Sequence, residues 1–111
     1  MNPNTPVIIG VSQILQRVAD LADAKEPIDL MVEAAFKAAK DCGKPGLLEE
    51  VESVRVIRGW WKYHQPAGYV AKKIGSNNAE LVGTCYGGNM AKSTLNATAV
   101  DIVSGENHSY C

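Results

Sequence analysis

The hydrophobic residues of the chain form a few short unbroken runs, separated by longer stretches in which they recur every three or four positions. The first run, residues 6–11 (PVIIGV), is almost wholly apolar and rich in β-branched side chains. A continuous apolar run, without alternation, is typical of a strand that is buried on both faces of a sheet. We therefore predict a central strand here. Residues 12–26 show no clean period, and we predict a partly helical connection for them.

A helix is predicted from Pro27 to the neighbourhood of Gly43. Proline suits the first turn of a helix, and Asp29 complements the positive end of the helix dipole. Gly43 is a typical residue for terminating a helix, and Pro45 opposes any continuation. The apolar residues of this stretch lie three or four positions apart and form one face: Ile28, Met31, Val32, Ala35, Ala38 and Ala39.

Strand and helix patterns then alternate along the rest of the chain. Residues 47–52 are predicted to make one short turn. Residues 54–57 (VRVI) and 81–84 (LVGT) are predicted strands. Residues 66–74 are predicted to form a helix that ends at Gly75, and a last helix is predicted over residues 89–104. The order β-α-β-α-β-α indicates the α/β class, with parallel strands and right-handed crossovers. We expect the first strand to lie parallel to the other two.

The last predicted helix is unusual because few charged residues interrupt it. Between Met90 and Val103 only Lys92 and Asp101 carry a charge, and the other residues are small, apolar or uncharged polar. A helix that is small or hydrophobic almost all round is typically buried on most sides. Three strands are too few to surround it, so we expect its second face to need a further layer of protein.

Composition and charge narrow the class of protein. The chain has 111 residues, 46% hydrophobic and 21% charged, which is the composition of one small folded domain. The net charge is -1 and the basic residues are dispersed, so we do not expect nucleic-acid binding. The apolar runs are too short to span a bilayer and no signal-peptide pattern is present, so we expect a cytoplasmic protein. Three cysteines without a Cys-x-x-Cys pair oppose a disulfide framework and a zinc or other metal site.

Cys85 is the strongest candidate in the sequence for a reactive side chain. It stands between a predicted strand and a predicted helix, and Gly87 and Gly88 follow it closely. A helix N-terminus stabilises a thiolate, and glycines allow a ligand to approach backbone N–H groups that can hold an oxyanion. The alternative is an inert cysteine packed beneath a helix, which is the commoner state of a cysteine outside a disulfide.

The segment around this cysteine resembles the nucleophile segment of the thiolase family. Residues 81–89 (LVGTCYGGN) lead into a helix of small residues, as the nucleophile segment does in that family. There a cysteine begins a buried helix, a glycine follows three residues on, and the helix ends in a glycine turn. Cys85, Gly88 and Gly105 occupy those positions here. With the earlier strands and helix, the resemblance covers about residues 6–105. It implies the N-terminal part of a thiolase-like layered α/β fold with an incomplete sheet.

The same resemblance implies acyl transfer through a cysteine thioester. Cys85 would be the nucleophile, and Gly87, Gly88 and Asn89 would contact the substrate, a coenzyme A thioester. No permanently bound cofactor is implied, and acyl-CoA is the expected partner. The complete family member is expected to be a homo-oligomer, of which residues 1–111 would form a partial N-terminal domain.

Some residues depart from the family pattern. Tyr86 and Gly87 replace the small serine-like residues that usually follow the family cysteine. Residues 87–89 (GGN) are closer to the sterol-carrier-associated thiolase-like branch, where the nucleophile is not always kept. The family's catalytic histidine and second cysteine have no counterpart, because His64 and His108 match neither motif. Residues 106–111 form a polar tail that is atypical of the family. A non-catalytic thiolase-like protein that serves as a binding or partner-interaction module therefore stays open as an alternative, as does a small free-standing α/β domain of unknown role.

Two adjacent tryptophans follow the second predicted strand. Trp60 and Trp61 are expected to be partly buried in the core, with a ligand or subunit contact as the alternative. His64 is expected to be a solvated loop residue, and Cys42 a structural one.

We predict that the isolated chain associates and has little or no acyltransferase activity. Each apolar side chain of the last helix that stays exposed, such as Leu95 or Val103, forgoes about 1.5–3 kcal/mol of burial. Sedimentation-velocity ultracentrifugation should show oligomers or aggregates, and thiolysis of acetoacetyl-CoA should be negligible. A monomer that melts cooperatively, or a measurable thiolysis rate, would contradict this expectation.

Overall fold

The computed structural model describes residues 4–85 and 87–104, in which three helices accompany a two-stranded parallel sheet. The helices and strands have the following bounds: α1 Pro27–Cys42, β1 Ser53–Val56, α2 Pro66–Ile74, β2 Glu80–Gly83 and α3 Met90–Ser104. Two 3₁₀ segments, Leu21–Asp23 and Pro45–Glu50, lie in the connections before and after α1. No helix in the described residues is both long and apolar enough to cross a membrane.

Helices α1 and α2 begin and end where proline and glycine predict. Each has proline at its first position, and each ends at a glycine in the left-handed region, Gly43 at φ 83° and Gly75 at φ 85°. The first 3₁₀ segment lies in the predicted partly helical connection. The second begins at Pro45, so the chain turns again there, two residues earlier than predicted. The boundaries of both helices are therefore confirmed.

The two strands pair in parallel, with Ser53 opposite Glu80 and Val56 opposite Gly83. Helix α2 makes the crossover between them and covers one face of the sheet. Side chains alternate along a strand, so Val54 and Val56 share that face. They lie in a core with buried residues of the helices and connections: Ile28, Ala39, Leu48, Val51, Ala67, Val70, Ala71 and Ile74. The α/β class and the parallel sheet are confirmed.

The strand predicted over residues 6–11 is not formed. The segment has no regular structure, and its side chains are exposed, Ile8 at 70%. It lies beside α1 instead: the Val11 N–H donates to Asp41 Oδ2 (3.0 Å), and the Ser12 hydroxyl donates to the Ala34 carbonyl oxygen (2.6 Å). The prediction was wrong because an apolar β-branched run indicates burial in a sheet but does not supply the main-chain partners that make a strand.

Helix α3 is also less buried than the sequence predicts. None of its residues is buried, and Leu95, Val100 and Val103 are exposed, Val100 at 65%. The half-buried side of the helix includes three polar residues, Thr94, Thr98 and Asp101. The exposed outer face agrees with the expectation that the second face of this helix needs a further layer of protein. The face turned toward the sheet is less buried than expected, because it is partly polar.

Arg55 of β1 joins this helix to the sheet. Its side chain is only 8% exposed and points away from the face that carries Val54. The guanidinium donates to Asp101 Oδ2 at 2.7 Å and to Thr98 Oγ1 at 3.0 Å, and its Nε donates to Ser53 Oγ at 3.1 Å. Glu80 of β2 adds an ion pair at 3.7 Å. Charged hydrogen bonds of this kind are short and roughly twice as strong as neutral ones.

We predict that Arg55→Met lowers the free energy of unfolding by about 1–3 kcal/mol, because Thr98 and the half-buried Asp101 lose their donors. Urea unfolding followed by circular dichroism measures the loss. Hydrogen exchange should show faster exchange in α3, with α1 unchanged.

Lys25→Met is the matched control, since it removes another cation paired with a carboxylate. The Lys25–Glu33 pair is as short, at 2.8 Å, but its lysine is 55% exposed. Exposed ion pairs contribute little to stability, so this variant should unfold as the unaltered chain does. Equal losses in both variants would show that the network around Arg55 has no special role.

Candidate active site at the carboxyl edge of the sheet

Parallel pairing brings the carboxyl ends of both strands to one edge of the sheet. Residues 57–65 leave β1 at this edge and lead to α2, while residues 84–89 leave β2 and lead to α3. The N-terminal ends of both helices therefore belong to the same region. In open α/β sheets, ligands bind outside the carboxyl ends of the strands. This edge is the place where the predicted nucleophile lies.

Thr84 ties the two loops together. Its N–H donates to the Val56 carbonyl oxygen (3.2 Å) and extends the parallel ladder by one bond beyond β2. Its hydroxyl accepts a hydrogen bond from the Arg58 N–H at 3.3 Å and donates one to the Cys85 carbonyl oxygen at 3.0 Å. The main chain at Cys85 is thus joined, through one side chain, to the segment that leaves β1.

Cys85 carries an exposed thiol in the loop that follows β2. Four residues separate it from Met90, where α3 begins. The sequence predicts the last helix from about residue 89, and it also predicts that the Cys85 sulfur lies within a first helical turn that begins near Gly87 or Gly88. The helix starts later, so the cysteine lies in the loop that leads to the helix. Tyr86 lies outside the described residues, and the role of Cys85 as a nucleophile stays a prediction.

Gly87 shapes the loop between Cys85 and α3. Its φ of 138° is one that residues with a side chain rarely adopt, and an added Cβ would lie 2.5 Å from Asn89 Oδ1. Its carbonyl oxygen accepts a hydrogen bond from the Met90 N–H at 3.0 Å, which joins the loop to the first residue of the helix. Gly88, by contrast, has open space where a Cβ would be. The predicted substrate-contacting residues Gly87, Gly88 and Asn89 are all exposed in this loop.

Aromatic residues fill the other loop at this edge. The Trp61 ring lies where a Cβ on Gly59 would collide with it, and it packs against the Tyr63 ring at 5.9 Å between centroids. The Tyr63 hydroxyl donates to Glu26 Oε2 at 3.3 Å, which connects the loop to the start of α1. Trp60 is turned outward and is 97% exposed. Partial burial is therefore confirmed for Trp61 and wrong for Trp60, because one of two adjacent indoles takes the space over Gly59.

A second phenol beside this loop donates a hydrogen bond to a carboxylate. The Tyr69 hydroxyl donates to Asp29 Oδ1 at 2.7 Å, and this hydrogen bond raises the pKa of Tyr69 above its usual value. Tyr69 and Asp29 stand in the first turns of α2 and α1, so they join the two helices at the same edge. They belong to the structural frame of the site.

The cavities lined by the described residues do not indicate a second candidate active site. An open cleft of about 270 Å³ lies among α1, β1 and α2, with Met31, Val56 and Ile57 in its apolar lining. A larger one, about 460 Å³, is lined by residues 49–52 and 75–78, which precede the two strands and so lie at the opposite edge of the sheet from Cys85. Among residues 4–85 and 87–104, no three side chains of the metal-binding types come together.

Comparison with known proteins identifies the architecture. No family model matches the chain, and no curated protein matches it. A solved structure does: the monomeric SCP2-thiolase-like protein type 1 (STLP1) from Mycobacterium smegmatis, with a TM-score of 0.81 and 29% sequence identity. The chain has a thiolase-like fold. The match covers 96% of this chain and 22% of that one, so the chain spans about a fifth of the length of its thiolase-like neighbour.

The predicted likeness to thiolases is thereby confirmed, and so is the thiolase-like α/β class. The other predictions for the site have different outcomes. His64 is exposed, as expected, and Cys42 is half-buried. Gly105 and residues 106–111, which the resemblance assigns to a glycine turn and an atypical tail, lie outside the described residues. Thr84 was overlooked, although a hydroxyl residue at the carboxyl end of a strand is a recognisable signal.

We predict that Gly87→Ala lowers the free energy of unfolding by about 1–3 kcal/mol, because alanine must adopt a strained φ and displace the Asn89 amide. Urea unfolding measures the loss, and limited proteolysis should cut the thiolase-like chain sooner between β2 and α3.

Gly88→Ala adds the same methyl group one residue later, where nothing lies within 4 Å and φ is ordinary. This control should change stability by less than about 0.5 kcal/mol, as surface substitutions usually do. If the two variants behaved alike, the shape assigned to the loop would be incorrect.

Proposed function

We propose that this chain supplies the nucleophile segment of a thiolase-type acyl-CoA acyltransferase, similar to an acetyl-CoA acetyltransferase. The observation that carries the proposal is the thiolase-like fold over 96% of the chain, with an exposed cysteine where β2 leads toward α3. Cys85 is the nucleophile in this proposal, and coenzyme A thioesters are the substrates.

The chemical step begins with the thiolate of Cys85. It attacks the carbonyl carbon of the acyl-CoA thioester, a bond forms between Sγ and that carbon, and the carbonyl oxygen becomes an oxyanion. Backbone N–H groups of Gly87, Gly88 and Asn89 supply candidate donors to that oxygen. The bond from carbon to the coenzyme A sulfur then breaks, and coenzyme A leaves as a thiolate that takes up a proton. In the second half of the reaction, the thiolate of coenzyme A, or the α-carbon of a second acyl-CoA after it has lost a proton, attacks the acyl carbon. A bond forms to that carbon, and its bond to Cys85 Sγ breaks, which regenerates the thiolate.

A non-catalytic thiolase-like binding protein is the second candidate. The loop geometry favours it, because the effect of a helix dipole falls off within the first turn, and four residues separate Cys85 from Met90. Tyr86, in place of the small residue that follows the cysteine in the family, points the same way.

Assembly and location form a separate part of the proposal. We propose that a complete protein of this kind works in the cytoplasm on acyl-CoA and forms a homo-oligomer. The similar protein from Mycobacterium smegmatis is described as monomeric, so a monomer is the alternative to the proposed homo-oligomer.

We predict that Cys85 becomes acetylated when the chain is incubated with excess acetyl-CoA. Peptide mass spectrometry should find the acetyl group on Cys85, in a form that neutral hydroxylamine removes, and little on the half-buried Cys42. Hydroxylamine cleaves thioesters and leaves amides on lysine intact, so it separates the two kinds of acetylation.

Two variants make the assignment specific. Cys85→Ser should abolish the hydroxylamine-sensitive adduct, while Cys42→Ser should leave it unchanged. Iodoacetamide provides a separate reading of thiol reactivity. Rapid alkylation of Cys85 without acetylation would favour the binding protein, and equal slow alkylation of both cysteines would remove the nucleophile assignment.

A further inference from the structure

We propose that Thr84 is a positioning residue for Cys85, acting through its hydroxyl group. This inference rests on the proposed nucleophilic role of Cys85. The hydroxyl stands between the loop that leaves β1 and the main chain at the cysteine, and it forms a hydrogen bond to each.

The hydrogen bonds at Thr84 use both functions of a hydroxyl group. A hydroxyl has one proton to donate and lone pairs to accept with. The proton goes to the Cys85 carbonyl oxygen at 3.0 Å, and the Arg58 N–H donates to the oxygen at 3.3 Å. The two bonds form a chain from Arg58 N–H through Thr84 to the Cys85 carbonyl. In such a chain each hydrogen bond polarises the next and strengthens it.

The hydrogen bonds that hold Thr84 in place come from two parts of the structure. The Thr84 N–H bonds to the Val56 carbonyl oxygen at 3.2 Å, so its backbone is an extension of the sheet. Arg58 precedes Gly59, over which the Trp61 ring packs. The hydroxyl is thus held from the sheet on one side and from the aromatic loop on the other. Without the Thr84 hydroxyl, the Cys85 carbonyl oxygen would lose this side-chain hydrogen bond, and the exposed cysteine would simply follow the last main-chain hydrogen bond of the sheet.

The tether matters for the chemistry because small misplacements of a reacting group cost a large part of its rate. Holding the Cys85 carbonyl oxygen fixes the direction in which the chain leaves the sheet toward Gly87. It therefore sets where the sulfur stands relative to the backbone N–H groups of the loop. Thr84 touches no reacting atom, so its effect is on the placement and reactivity of the thiol.

The test measures the rate at which iodoacetamide alkylates Cys85 in the full 111-residue chain. Thr84→Val keeps the shape of the side chain and removes the hydroxyl; Thr84→Ser keeps the hydroxyl. Peptide mass spectrometry follows Cys85 and Cys42 in the same sample, and Cys42, which is half-buried, reports any loss of folding. We expect a loss of at least threefold at Cys85 in the valine variant, recovery to within 1.5-fold in the serine variant, and an unchanged rate at Cys42.

The outcomes separate this inference from the proposed function. If Cys85 of the unaltered chain reacts no faster than Cys42, the proposed function fails and the positioning role fails with it. If Cys85 is reactive but Thr84→Val leaves its rate unchanged, only the positioning role is overturned. The same holds if Thr84→Ser loses as much rate as Thr84→Val. If Thr84→Val unfolds the chain, seen as a faster rate at Cys42, Thr84→Ala replaces it under the same criteria. Unfolding of the alanine variant as well would show that Thr84 serves the fold and does not position Cys85.

Discussion

Parallel pairing between β1 and β2 determines where the other parts of this chain lie. Two parallel strands cannot be joined by a tight turn, so the chain must return along one face of the sheet, and α2 makes that return. The crossover buries Val54 and Val56 beneath α2 and α1 and creates the core. It also sends both strands out of the sheet at the same edge, where Cys85 meets the loop after β1 through Thr84. Core and candidate site are therefore two consequences of one pairing.

The carboxyl edge combines a fixed frame with an open loop. Tyr63 and Tyr69 connect the edge to carboxylates in the first turn of α1 and just before it, and Trp61 fills the space over Gly59. Cys85 lies at the boundary between this frame and the exposed residues before α3. A nucleophile needs both conditions, because it must be reachable by substrate and still be held in a defined place. In the described residues, the tether of the Cys85 carbonyl is a hydrogen bond from its immediate neighbour.

Local signals in the sequence predict the helices well and the first strand poorly. Proline at the start and glycine at the end determine α1 and α2 because these residues act on their own backbone, whatever surrounds them. Residues 6–11 depend on a partner strand beside them, and an apolar pattern says nothing about where that partner lies. Similarly, the motif around Cys85 predicts the thiolase-like fold. The role of the Thr84 hydroxyl is not predictable from that motif, because it depends on a hydrogen bond from the N–H of Arg58, which is distant in sequence. The outward position of Trp60 likewise depends on the packing of Trp61 over Gly59, which the sequence does not specify.

The attachment of α3 through Arg55 has a consequence for how this helix is specified. Apolar contacts are non-directional, so a helix held by leucine and valine can slide or rotate and still bury similar area. The guanidinium fork reaches Thr98 and Asp101 together, and these residues are three positions apart on one side of the helix. Rotation of α3 by one residue would separate both groups from the fork. The contacts with Arg55 therefore favour one rotation of α3 about its own axis, even while its outer surface is uncovered. The apolar residues of the helix do not by themselves select that rotation.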